Sequence, residues 1–251
     1  MTSRFDGRPA IVTGAASGIG KATALRLAAD GARVGCLDLA DAVDETVAEI
    51  QAAGGEAIAV RASVSDVDSV DAAVAAVEEA YGTVRILANV AGILRFANTH
   101  TSDPDDFDLQ IAVNLKGPYL MSRRVIPGML EAGGGAITNV SSSAGVFGQA
   151  YLPGYAASKG GVSMLSRAMA WEYVKRGIRV NAIAPGGVQT PMTNRVEFPE
   201  GMDDELIAKS IAPGYYMMSP DDPAGLIAFL SSDEARMITG TVIPIDHGIT
   251  C

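Results

Sequence analysis

The sequence predicts an α/β fold: a doubly wound parallel sheet of about seven strands with helices on both faces. Three observations carry this prediction. Seven short apolar runs recur along the chain, nearly continuous in Val, Ile, Leu and Ala, as strands buried on both faces read. Longer stretches with helix-start and helix-stop residues lie between them. The two patterns alternate without a Pro/Ser-rich linker or charge block, so a single domain over 1–251 is expected.

The first strand is PAIVTG (9–14), followed by a helix over 18–30 that stops at Gly31. RVGCLDL (33–39) is the second, and its helix, 41–53, ends at Gly54–Gly55, where glycine can adopt the helix-terminating conformation. EAIAV (56–60) is the third, with a helix over 66–81 that starts after Ser65 and ends at Gly82. RILANVAG (85–92) is the fourth. Ser102-Asp103-Pro104 then opens a helical region reaching about 128, with a capping side chain before a proline in the first turn. GAITNVSS (135–142) is the fifth strand, followed by a helix over 154–176 that ends at Gly177. IRVNAIAP (178–185) and TVIPID (241–246) are the last two, and the helix over 221–232 between them follows Ser219-Pro220. Residues 186–219, rich in Pro, Met and Gly, break the rhythm. The unpatterned loop within them, 190–218, is expected to act as a lid.

Composition narrows the function. The chain has 251 residues, 48% hydrophobic and 19% charged, enough to close one large core. No run reaches ~18 uninterrupted apolar residues, and MTSRFDGRPAIV has no long apolar stretch, so neither a membrane span nor a secretory leader is expected. Cys36 and Cys251 are the only cysteines, which fits a cytoplasmic protein without a disulfide framework. They and the scattered His100 and His247 offer no metal site. A net charge of −10 argues against a nucleic-acid partner.

The first strand runs into TGAASGIGKATAL (13–25). Gly14, Gly18 and Gly20 permit a tight turn and close backbone approach, and the following helix N-terminus can hold a pyrophosphate. Asp38 ends the second strand, where a carboxylate can accept both ribose hydroxyls and repel a 2′-phosphate. Ser17 and Leu39 stand where a 2′-phosphate site would want Arg or Lys, so NAD is expected rather than NADP.

In PGYAASKGG (153–161), Tyr155 and Lys159 lie four residues apart and share one face of a helix. On a wet helix such a pair contributes a few tenths of a kcal/mol. Near a substrate it can do chemistry. A free phenol, with a pKa of about 10, is a poor base, and an adjacent ammonium favours the phenolate and brings proton transfer into range. Ser141, Ser142 and Ser143 follow the fifth strand, and a serine there can hydrogen-bond a substrate oxygen as its charge changes.

Over almost its full length the chain resembles the short-chain dehydrogenase/reductase family. The carrying segments are TGAASGIG (13–20), NVAG (89–92), Asn114 in VNLKG, SSSAG (141–145), YAASK (155–159), PGGVQT (185–190) and ITGTVIPIDHG (238–248). The resemblance implies a Rossmann-like sheet, with Tyr155 as catalytic acid/base and Lys159 as its partner. It selects Ser142, thirteen residues before the tyrosine, as the catalytic serine. It completes the set with Asn114, which holds a water linking Lys159 to solvent. Ser17, Ile19, Asp38, Asn89, Val188 and Thr190 fall where the family lines the dinucleotide, with Thr190 near the nicotinamide carboxamide. Three departures stand out. Val90 replaces a usual Asn, Ser63 beside Val64 replaces a usual Asp near the adenine, and His247 replaces a glycine.

Together these point to an NAD-dependent oxidoreductase interconverting a secondary alcohol and a ketone. Phe147, Tyr151, Met192, Phe198, Tyr215, Tyr216, Met217 and Met218 are candidates for an apolar pocket suited to a steroid-like, terpenoid-like or alicyclic substrate. The rivals are a 3-oxoacyl-thioester (acyl-carrier) reductase and a non-catalytic NAD-binding sensor. The family resemblance also implies a homotetramer.

Overall fold

The structure, a computed structural model, describes residues 4–211, 214 and 217–251. Its strands are β1 (Pro9–Thr13), β2 (Arg33–Asp38), β3 (Glu56–Arg61), β4 (Ile86–Asn89), β5 (Gly135–Val140), β6 (Ile178–Pro185) and β7 (Val242–Ile245). They form one sheet in the order β3-β2-β1-β4-β5-β6-β7, with every pair parallel. The chain winds outward from β1 to β3, then returns to place β4 beside β1. The carboxyl ends of β1 and β4 therefore flank the switch point, where open parallel sheets bind ligands.

Helices α1 (Gly18–Ala29), α2 (Val43–Ala52) and α10 (Asp221–Ser231) cover one face of the sheet; α3 (Val67–Tyr81), α5 (Gly117–Glu131) and α7 (Pro153–Tyr173) cover the other. Alternation along β1 shows how one strand serves both cores. Ala10 and Val12 pack with Leu27 of α1 and Ile227 of α10, while Ile11 packs with Val74 of α3 and Met121 of α5. The larger of these side chains, Val12, Leu27, Ile11, Val74, Met121 and Ile227, contribute roughly 1.5–3 kcal/mol each when fully buried. Burial on both faces holds for the inner strands. In the edge strands, one of the six residues of β3 and none of the four of β7 are buried.

Helix starts follow local chemistry. Asp66 caps α3 by accepting from Ser69 N, and Asp103 caps α4 (Pro104–Ile111) by accepting from Asp105 N. The predicted helix over 154–176 tightens after Tyr173 into a 3₁₀ turn, Val174–Arg176, and stops at Gly177 with φ 74°.

The apolar pattern missed three features. Strand β4 has four residues, not the eight suggested by the run 85–92. The reason is Thr13, whose Oγ1 accepts from Val90 N at 3.0 Å and Ala91 N at 3.1 Å, taking donors a longer ladder would use. Between α4 and α5 the backbone widens into a π-helical segment, Ala112–Lys116. Finally, Ala144–Phe147 (α6) follows β5, and the irregular region holds Pro191–Asn194 (α8) and Asp204–Ala208 (α9). Tyr215 and Tyr216 lie outside the described residues.

Candidate active site

A cavity of about 460 Å³ opens at the carboxyl ends of β1, β4, β5 and β6. Its floor is the turn from β1 into α1. Gly18 holds φ +52°, and a side chain there would meet Thr190 Cγ2 at 2.9 Å. A Cβ at Gly20 would fall 1.9 Å from Gly14 O, so only glycine lets α1 start this close to the loop. Gly14, Ser17, Gly18 and Ile19 all line the cavity. Asp38 lines it from the end of β2, its Oδ2 accepting from Ala16 N at 3.0 Å and its Oδ1 from Ala40 N at 2.9 Å. The carboxylate thus fixes the glycine loop while each oxygen keeps acceptor capacity for a ligand hydroxyl. A narrow cradle over a helix N-terminus, with a carboxylate beside it, suits the dinucleotide the sequence calls for.

On the far side, the helix spacing brings Tyr155 and Lys159 together. Lys159 Nζ lies 5.7 Å from the centroid of the Tyr155 ring and donates to Val140 O at 2.7 Å. Burial lowers the Lys159 ammonium to about 8. Burial raises the Tyr155 phenol above its ordinary value, while a hydrogen bond from Ser142 acts the other way. The expectation that the ammonium depresses the phenol therefore yields, in the free protein, to desolvation of both groups. Tyr155 stands there as a protonated phenol at neutral pH.

The three serines after β5 have distinct partners. Ser141 Oγ donates to Lys159 O at 2.8 Å and meets Ser163 Oγ at 2.8 Å, tying β5 to α7. Ser143 Oγ accepts from Gln149 Nε2. Ser142 lines the cavity beside Tyr155, its Oγ accepting from Ala144 N at 3.2 Å.

Asn114 sits in the π-helical segment, fully buried. Its Oδ1 accepts from Ile93 N at 2.8 Å, and its Nδ2 donates to Ile93 O at 2.9 Å and Ser158 Oγ at 3.1 Å. It thereby pins the chain leaving β4 against α7. A Cβ on Gly92 would lie 3.2 Å from Asn114 Oδ1 and 3.4 Å from Lys159 Nζ. The absent side chain of Gly92 keeps open the space between the asparagine and the lysine.

Val188 and Thr190 line the cavity from the loop after β6. Thr190 also caps α8 in a reciprocal box with Thr193. Gly20, Ser63, Val64, Asn89 and Lys159, also expected at the cofactor, do not line this cavity. Ser63 and Val64 are not in the cavity wall; Ser63 N donates to Ser69 Oγ, and Val64 packs against Gly117. Asn89 turns under the sheet, donating to Asn139 Oδ1 at 2.8 Å, and its own Oδ1 has no partner among the described residues. The expected apolar pocket is also largely absent. Of its described candidates only Met192 reaches the wall, while Arg95 and Arg195 line it as well. Tyr151 instead accepts from Asp203 N through its hydroxyl, and Phe198 stacks edge-on with Phe96 at 5.0 Å. His247, where the resemblance expects glycine, holds φ 52°, the left-handed backbone that glycine adopts more readily.

Sequence reasoning also passed over Thr13, Gly92, Arg95 and Arg195. For Thr13 the signal was a polar residue closing an otherwise apolar strand. The two arginines sit in irregular segments, where no periodicity assigns a direction.

A family described as enoyl-(acyl carrier protein) reductase matches residues 14–250. The 2,5-dichloro-2,5-cyclohexadiene-1,4-diol dehydrogenase LinX of Sphingobium indicum is 40% identical, covering 99% of this chain and 98% of its own. The 3-oxoacyl-[acyl-carrier-protein] reductase FabG of Thermotoga maritima is 39% identical over 98% of this chain and 99% of its own. The cyclohexanol dehydrogenase of an Acinetobacter species is 37% identical, over 100% and 98% respectively. The crystal structure of a dehydrogenase/reductase from Sinorhizobium meliloti superposes with a TM-score of 0.87 at 32% identity, covering 98% of this chain and 96% of that one. With a family match over nearly the whole chain, relatives of this identity and a seven-stranded parallel sheet, the chain belongs to the short-chain dehydrogenase/reductase family.

Proposed function

We propose that the protein is an NAD-dependent dehydrogenase that interconverts an alicyclic secondary alcohol and its ketone, with its single domain spanning the chain. The observation that carries the reading is the meeting of Tyr155 and Ser142 in one cavity with the glycine loop and Asp38, with the Lys159 ammonium 5.7 Å from the centre of the Tyr155 ring. The bound dinucleotide supplies or accepts the hydride. Tyr155 Oη passes the proton: as a phenol it protonates the developing alkoxide, and in the reverse direction it takes the alcohol's proton as the phenolate, after its own proton has passed by way of Lys159 toward solvent. Ser142 Oγ–H donates to the same substrate oxygen as negative charge builds. The Lys159 ammonium steadies the phenolate left behind, and its own proton has a route past Gly92 toward Asn114. Ser17, Gly18 and Ile19 hold the pyrophosphate, with Val188 and Thr190 closing the other side.

Preference for NAD rests on Asp38 and on its surroundings. Arg61, the cation on the neighbouring strand, is engaged by Asp41 at 3.0 Å and Asp44 at 2.7 Å, so it offers little to a 2′-phosphate. The alicyclic class rests on relatives named for cyclohexanol and a cyclohexadiene diol, and on Ile93, Leu94 and Met192 in the wall. A homotetramer is supported by exposed Phe107, Leu109, Tyr119 and Met164 on α4, α5 and α7. The test is to follow reduction of NAD and of NADP with cyclic secondary alcohols. Turnover with NAD at a kcat/KM at least about tenfold above NADP is expected, and the reverse preference refutes the role of Asp38.

A second reading, reduction of a 3-oxoacyl thioester, is favoured by Arg95 and Arg195 in the cavity wall, by the Thermotoga relative and by the family description. Faster oxidation of NADPH with an acetoacetyl thioester than of NADH with any cyclic ketone selects it.

A further inference from the structure

We propose that a second cavity, at the opposite end of the sheet, binds a small phosphorylated molecule through its phosphate. This cavity, of about 520 Å³, lies at the amino ends of the strands, where Arg8 precedes β1, Arg85 precedes β4 and Arg179 begins β6. With Arg236 it collects four arginines in its wall against one carboxylate, Asp233. Such a surplus is unusual in a chain whose net charge is −10. Its size falls within the roughly 300–1,000 Å³ of small-molecule pockets.

The arginines divide into two kinds. Arg8 grips Asp233 through both terminal nitrogens, at 2.8 and 2.5 Å. Arg179 spends its donors on the carbonyls of Leu230 and Ser232, at 2.7 and 3.0 Å. These two fix the wall and contribute charge. Arg85 uses only its Nε, on Gly134 O at 2.7 Å, which leaves both terminal nitrogens available. The Arg236 side chain makes no hydrogen bond or ion pair among the described residues, and the residue is exposed in the wall of the cavity. A planar guanidinium matches a phosphate with two parallel N–H bonds, so Arg85 and Arg236 form the two jaws of an oxyanion clamp.

An independent observation comes from the same wall. Ser231 is 2% exposed, and its Oγ has no partner among the described residues. A buried hydroxyl left unpaired costs stability, and this one lies just behind the cavity wall. Surplus positive charge and free guanidinium donors thus converge on one cavity. None of these residues belongs to the candidate active site.

The test is calorimetric titration of the full chain with inorganic phosphate and, separately, with glycerol phosphate, with ionic strength matched by sodium chloride. One site per chain is expected, with Arg236→Gln and Arg85→Gln each weakening binding at least about tenfold and leaving alcohol oxidation unchanged. Tighter binding of glycerol phosphate identifies an ester as the ligand; tighter inorganic phosphate identifies the free ion. Arg236 is exposed, so its variant keeps the test decisive if Arg85→Gln folds poorly. Absence of binding at millimolar phosphate overturns the proposal. So does binding that both arginine variants retain, or that Gly18→Ala abolishes, since the anion then sits on the glycine loop.

Discussion

Replacing Lys159 with methionine isolates the electrostatic cost of building this site. The side chain is 4% exposed, and its ammonium titrates near 8 instead of 10.5 because burial strips its hydration. The unfolded chain keeps its proton up to about 10.5, so between these values it binds more protons than the folded one, and stability rises with pH across that window. Below 8 both forms are charged and the folded state carries the full penalty. Working the two titrations from pH 7 to 9.5 gives a gain of about 2 kcal/mol for the wild type, at 1.36 kcal/mol per unit. Lys159→Met lacks this term, so the stability difference between wild type and variant changes by about 2 kcal/mol, or roughly 4–8 °C in Tm. Staying below pH 10 keeps Tyr155, whose phenol is raised by burial, from entering with the opposite sign.

The assay is denaturant unfolding at pH 7 and 9.5 at fixed protein concentration, followed by far-ultraviolet circular dichroism. Fluorescence is the poorer probe, because the single tryptophan, Trp171, is already 83% exposed in the folded protein. A difference that does not move with pH, or that moves toward a less stable wild type at 9.5, refutes the burial argument.

Other consequences follow from the packing. Gly20→Ala places a methyl 1.9 Å from Gly14 O, so dinucleotide affinity should fall at least about tenfold while the dichroism spectrum is retained; unchanged affinity in fluorescence titration would count against the cradle. Gly160→Ala meets nothing nearer than Gly145 O at 3.6 Å and should raise stability by roughly 0.5–1 kcal/mol, whereas Gly145→Ala falls 2.5 Å from the Lys159 backbone and should lower it. Asn114→Ala releases Ile93 and Ser158 together. It should cost about 1–3 kcal/mol in unfolding experiments and reduce kcat more than the KM for NAD.

Much of this was legible in the residues because parallel sheets bury their strands and punctuate their helices. The seven apolar runs located all seven strands, and Gly177, Gly82 and Asp103 marked helix ends where the backbone needs them. Tyr155 and Lys159 could be paired from spacing alone, since helix geometry fixes their common face. Tertiary competition was less readable. Thr13 shortens β4 from across the sheet, and Asn89 faces Asn139 because α5 packs beneath it. Phe147 and Phe198 look like pocket residues by composition, yet neither lines the cavity, Phe147 ending the short helix α6, while Arg95 and Arg195 enter its wall from segments that no periodicity assigns. The depression of Lys159 is likewise a property of enclosure, which no local motif reports.

The central claim is that Tyr155 moves the proton while an NAD-type dinucleotide moves the hydride. Its most direct test is the absorbance of reduced cofactor when wild type and Tyr155→Phe are supplied with NAD and a panel of cyclic secondary alcohols. The account predicts turnover by the wild type and a loss of about 10²–10⁴ in kcat for the variant, with NAD still bound. Full activity in Tyr155→Phe contradicts the mechanism, and tight NAD binding without turnover of any alcohol or ketone by the wild type makes the protein a sensor instead of an enzyme.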